Sequence, residues 1–93
     1  MLVLSRRLGE SVVINDQLVL TVAFLADDCA EFSLINIDGS FVGSFNAHLH
    51  EWFRLTDDIQ VFVVQFEGEK LRLGVKGTPH DRIHRGEFWN LPG

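Results

Sequence analysis

Apolar residues along this chain fall mostly at alternate positions, in short runs separated by turn residues, which is the pattern of half-buried strands. Residues 2–7 (LVLSRR) are followed by Gly9, and residues 11–14 (SVVI) are closed by Asn15-Asp16. Residues 17–25 (QLVLTVAFL) put Leu18, Leu20 and Val22 on one face. After the turn at Ala26-Asp27-Asp28, residues 30–35 do the same with Ala30, Phe32 and Leu34. Asp38-Gly39 is a strong turn signal. Residues 59–66 (IQVFVVQF), a turn at Glu67-Gly68, residues 71–75 (LRLGV) and residues 82–85 (RIHR) complete the series. Many short strands with frequent turns predict an all-β, antiparallel fold. One segment is ambiguous. In residues 44–55 (SFNAHLHEWFRL), Phe45, Leu49, Trp52 and Phe53 fall at helical spacing, so one short inserted helix and a strand-turn-strand both fit.

The middle of the chain overlays itself when shifted by 41 positions, the distance from Asp16 to Asp57. Residues 16–22 (DQLVLTV) then lie on residues 57–63 (DDIQVFV), and residues 30–34 (AEFSL) on residues 71–75 (LRLGV). The turns Asp27-Asp28 and Gly68-Glu69 coincide, and Leu8-Gly9-Glu10 falls on Leu49-His50-Glu51. Identities are few. The match lies in the apolar pattern and the turns, without a gap across both hairpins, and it predicts an internal duplication over the chance likeness of any two hairpins.

The length of 93 residues fits one domain, residues 1–93. An apolar fraction of 46%, with eight Phe and two Trp, is enough for a real core. No apolar run is long enough to span a membrane, the N-terminal run is too short for a signal peptide, and the single Cys29 excludes an internal disulfide. A cytoplasmic protein with no membrane partner is the expectation, with Cys29 an ordinary strand or turn residue.

The net charge of −5 argues at first against nucleic acid, but its distribution reverses that reading. Residues 1–7 carry Arg6 and Arg7 and no acid, whereas residues 8–69 carry only Arg54 against eleven acids. Residues 70–93 carry Lys70, Arg72, Lys76, Arg82 and Arg85 against Asp81 and Glu87. If the basic ends meet in space, they form one basic face on an acidic body.

The opening MLVLSRRLGESVVIND resembles the signature start of the carbon storage regulator family of RNA-binding translational regulators. The closing GEKLRLGVKGTPHDRIHRGEF is similar to the rest of that family's core, with Gly68, Arg72, Gly74, Val75 and Ile83-His84-Arg85 as landmarks and Glu87 just after. The matches cover residues 1–22 and about 66–88, nearly half the chain. The resemblance implies an interlocked homodimer of five-stranded chains, in which the first strand of one protomer lies beside the last strand of the other. That junction is the family's RNA site. Its ligand is a GGA-containing hairpin loop in a messenger leader or a small RNA, and binding typically represses translation.

The chain departs from this pattern. The insertion after the third strand equals the repeat period, so the expectation is a monomeric pseudo-dimer with interlocked sheets. Its first copy would cover residues 1–46 and its second residues 42–87. An ordinary homodimer with an appendage and two sites is the alternative. The copies overlap at residues 42–46, which cannot supply both a last and a first strand and carry no Arg; the second RNA site should be absent or degenerate. The family's C-terminal helix is nearly gone, since only residues 88–93 follow Glu87 and Pro92 blocks extension. The loop at residues 77–81 (GTPHD) has its proline one step late, and Asp81 adds a negative charge near the expected RNA.

On this reading the RNA-binding residues are Leu4, Ser5, Arg6, Arg7, Ile83, His84 and Arg85, with Thr78, Pro79 and Glu87 in support. Arg6, Arg7 and Arg85 suit phosphates or guanine edges, and Leu4 and Ile83 suit base faces. His84 suits stacking or a hydrogen bond, with a structural role for it equally open. Glu87 suits orienting an arginine or capping the strand end. Phe45, Trp52 and Phe53 read better as core than as a partner surface. His48-x-His50 and His80-x3-His84 are weak metal signals without matching Cys or framing acids, and no phosphate loop or nucleophile motif is present. No cofactor, no metal and no catalysis are expected. The rival function is a divergent relative that acts through protein–protein contact with little RNA binding.

Overall fold

The structure, a computed structural model, describes residues 1–86. Among the described residues it is all-β, with nine strands in two antiparallel sheets and no helix long and apolar enough to cross a membrane. In chain order the strands are β1 (Leu2–Arg7), β2 (Ser11–Ile14), β3 (Leu18–Leu25), β4 (Cys29–Asn36), β5 (Phe41–His48), β6 (Trp52–Arg54), β7 (Gln60–Glu67), β8 (Lys70–Lys76) and β9 (Ile83–Arg85). One sheet has the order β1-β8-β7-β6 and the other β5-β4-β3-β2-β9. The halves of the chain are therefore interlocked. β1 from the start completes the sheet built by β6 to β8, while β5 and β9 flank the sheet built by β2 to β4.

The registers repeat at the 41-residue offset. Leu20 opposite Leu34 becomes Val61 opposite Val75, and Val12 opposite Leu20 becomes Phe53 opposite Val61. The register shift between Val22 and Phe24 recurs between Val63 and Gln65. The exchanged strands obey the same rule, since Leu4 opposite Leu73 corresponds to Phe45 opposite Phe32. Local turns repeat as well. Gly9 and His50 both have positive φ (85° and 61°), and their amides donate to Val22 and Val63 carbonyls at 2.8 Å each. A left-handed residue is needed at this corner whichever half supplies it.

Alternation explains the core. The inward positions Val12, Ile14, Leu20, Val22, Phe32 and Leu34 of one sheet face Leu4, Val61, Val63, Leu71 and Leu73 of the other, with Ile59 just before β7 beside them, all at most 4% exposed. Phe53 bridges the sheets, its ring centroid 5.6 Å from Phe32 and 5.2 Å from Phe45, stacked on the latter. Residues 44–55 form strand, turn and strand, so the helix alternative is not realised. The helical spacing was coincidental: Phe45, Ala47 and Phe53 point inward from two different strands, and the left-handed His50 turns the chain between them. Trp52 lies on the opposite face and is 49% exposed, which corrects its assignment to the core.

Candidate nucleic-acid interface

β1 and β9, from opposite ends of the chain, are each the outermost strand of their sheet among the described residues. Among the described residues β1 ladders with β8, and β9 with β2. One groove of about 410 Å³ runs between them, lined by Leu2, Val3, Leu4, Ile83, His84 and Arg85. The structure thus brings Leu4, Ile83, His84 and Arg85 together.

The remaining residues singled out from the sequence take other places. Alternation along β1 sends Ser5 and Arg7 to the outer face of the four-stranded sheet and Arg6 inward. Arg6 is 5% exposed; its Nε–H donates to the Ser5 carbonyl at 2.6 Å and Nη1 to the Ser11 carbonyl at 3.2 Å, tying β1 to β2 across the sheets. Glu10 Oε1 lies 4.0 Å from the same Nε, so carbonyls and a carboxylate together answer an enclosed guanidinium, which needs acceptors for its donors. Arg7 is exposed, faces Glu69 at 3.5 Å and lines a separate depression with Leu8, Leu25 and Gly68. Thr78 and Pro79 lie in the loop before β9. Glu87 lies outside the described residues, as do residues 88–93, the stretch on which the near-loss of the family's C-terminal helix was read.

What holds β9 in place is the turn Asn15-Asp16, which the sequence marked only as a strand end. Both residues have positive φ (55° and 53°), a conformation that Asn and Asp tolerate better than most side chains. The Asn15 amide donates to the Arg82 carbonyl at 2.7 Å, and the Arg82 amide donates to Asn15 Oδ1 at 2.7 Å. Asn15 Nδ2 donates to Asp81 Oδ1 at 2.8 Å. Asp16 takes the guanidinium of Arg82 and stands 3.0 Å from His84 Nε2. Asp81 is therefore not a stray charge beside the groove. Its other oxygen accepts from the amide and hydroxyl of Thr78 at 2.7 and 2.9 Å. The Asn15 amide, followed by the Thr78 donors, holds the Asp81 carboxyl below the usual carboxylate range. A loop joined to a hairpin by these bonds arrives at β9 with its backbone already ordered. The signal available in the sequence was the Asn-Asp pair itself, two residues suited to left-handed turns with side chains able to bond outward.

The four-stranded sheet has no counterpart of β9 among the described residues, and its far edge is β6. The overlapping segment has gone wholly to β5, which pairs with β4 as β1 pairs with β8. Cys29 lies on β4 with its thiol pushed above the ordinary value by desolvation and by Asp28, which disfavours the thiolate. Among the described residues no three His, Cys, Asp or Glu side chains converge on a metal-sized site. No protein-family model matches the chain, and no solved structure matches it significantly.

Proposed function

We propose that this chain is a single-site RNA-binding regulator of the carbon storage regulator kind. It recognises GGA-containing hairpin loops in messenger leaders or small RNAs in the cytoplasm and represses translation. The observation that carries this reading is the groove between the outermost strands of the two sheets, contributed by opposite ends of the chain. Unpaired loop bases are read by hydrogen bonds on their edges, and a strand edge offers donors and acceptors at fixed spacing. Arg85, exposed at the rim, brings a planar donor pair suited to guanine or phosphate, and Leu4 and Ile83 supply apolar walls for base faces. His84, tethered to Asp16 through Nε2, joins them as a positioned imidazole ring.

A single pairing of outermost strands from the two chain ends among the described residues favours one RNA per chain. Titration of a GGA hairpin RNA should give saturable, salt-sensitive binding. Arg85→Ala should weaken it roughly tenfold or more, the scale of a lost bidentate base contact. Absence of binding to the GGA hairpin would overturn the reading and favour the protein-interaction role instead.

A further inference from the structure

The outer face of the four-stranded sheet carries a row of apolar groups that the core does not use. Across β6, β7, β8 and β1, Trp52 lies opposite Phe62, Phe62 opposite Gly74, and Gly74 opposite Val3. The Phe62 ring lies flat over Gly74, where a Cβ would come within 2.3 Å of it. Trp52 stacks on Phe62 with centroids 4.2 Å apart and 29° between planes, yet half of its surface faces solvent. Glycine at position 74 is what lets the aromatic pair lie down on the sheet.

Basic side chains border this row on the same face. Gln60, Arg54 and Lys76 form the next rung on one side, and Arg72, Lys70 and Arg7 continue the face on the other. Five of the chain's eight Lys and Arg residues thus lie on one sheet face of a protein with net charge −5. Glu67, half-buried, pairs with Arg72 at 3.8 Å and Glu69 with Arg7 at 3.5 Å, both at the surface and weakly held. Among the described residues no ion pair engages Arg54, Lys70 or Lys76. The equivalent row of the other sheet is Ser11, Thr21, Ser33 and Ser44, so neither feature is required by the fold. The row ends at Val3, which also lines the groove between β1 and β9.

We propose that this face is a stacking platform for single-stranded RNA, continuous with the groove through Val3. Flat aromatic rings flanked by cations bind a strand without regard to sequence, because every base offers a π-face and every linkage a phosphate. The inference rests on the RNA-binding reading above and extends it to nucleotides flanking the hairpin.

The test compares three RNAs: a bare GGA hairpin, the same hairpin with a single-stranded oligoadenylate extension, and free oligoadenylate. The expected result is that the extension strengthens binding about tenfold, a gain of the size that stacking one base supplies. Trp52→Ala should remove that gain and leave the bare hairpin unaffected, and Trp52→Phe should keep most of it. Lys76→Glu, which leaves the aromatic pair intact, should reduce the gain and its salt sensitivity. Equal binding of bare and extended hairpins by wild type overturns the platform while leaving the groove standing. If no hairpin binds, the groove reading fails, and the platform then stands or falls on Trp52-dependent binding of free oligoadenylate. Self-association abolished by Trp52→Ala, with no effect on any RNA, assigns the face to a second copy of the chain and overturns the proposal.

Discussion

At equivalent backbone positions the four-stranded sheet presents Trp52, Phe62, Gly74 and Val3 on its outer face, where the five-stranded sheet presents Ser11, Thr21, Ser33 and Ser44. Arg72 stands where the other sheet has Glu31, Lys76 where it has Ile35, and Arg54 where it has Val13. The inner faces show the opposite trend. Leu20 and Val61, Val22 and Val63, and Phe32 and Leu73 are matched apolar pairs, each at most 1% exposed. Shared burial holds the inner positions to one chemistry, because a polar group there would lose water without a partner. The outer positions are free of that constraint, so their divergence marks where the two sheets do different things. The five-stranded sheet has β9 and with it the groove; the four-stranded sheet has no such strand among the described residues and carries the aromatic and basic face instead.

The largest effect should come from the core the sheets share. Phe32→Ala, which removes a fully buried ring packed on Phe53 across the interface, should cost about 3–5 kcal/mol in denaturant unfolding. It should do so in one transition common to both sheets. Two separate transitions would show that the halves fold independently. A smaller effect should separate the outer faces. Gly74→Ala forces the Phe62 ring off the sheet and should cost roughly 1–3 kcal/mol, with a change in the near-ultraviolet signal of Trp52. Ser33→Ala at the equivalent position should stay within about 0.5 kcal/mol. Equal costs at the two positions would erase the distinction.

The smallest effect concerns the turn that only the five-stranded sheet uses as a clamp, since Thr56-Asp57 stand where Asn15-Asp16 do. The folded Asp81 carboxyl titrates below its ordinary value of 3.8. Its stabilising contribution is therefore fully present above that value and is lost as the pH falls through the lower, folded one. The melting-temperature gap between wild type and Asp81→Ala should be widest at neutral pH and close in strong acid. A gap that persists unchanged into strong acid would contradict the clamp.

Much of the fold was legible because it rests on alternation. The runs around Leu20, Phe32, Val61 and Leu73 have the strand period and turn residues at both ends, and the 41-residue offset read from them is the offset of the registers. Residues 44–55 were ambiguous because inward residues from two strands, Phe45 and Phe53, mimic a helical stripe once the turn between them is ignored. Trp52 misled for a related reason: a large aromatic is read as core until the pleat fixes which face it takes. The groove followed from the two chain ends, whereas the direction of Arg6 did not. Alternation from Leu4 puts it inward, but the acceptors that make that site habitable for a guanidinium, the carbonyls of Ser5 and Ser11 and the carboxylate of Glu10 among them, show only in the fold. The Asn15-Asp16 clamp was invisible because its partners, Asp81 and Arg82, are 66 residues away from Asn15 and Asp16 respectively.

The claim that one chain holds one RNA in the groove between its own first and last strands is tested most directly by the light-scattering mass of the protein with a GGA hairpin RNA, in wild type and in Arg85→Ala. The account predicts a complex of one chain and one RNA, absent or strongly weakened in the variant. Two chains carrying two RNAs would contradict it, and so would a complex that Arg85→Ala leaves unchanged.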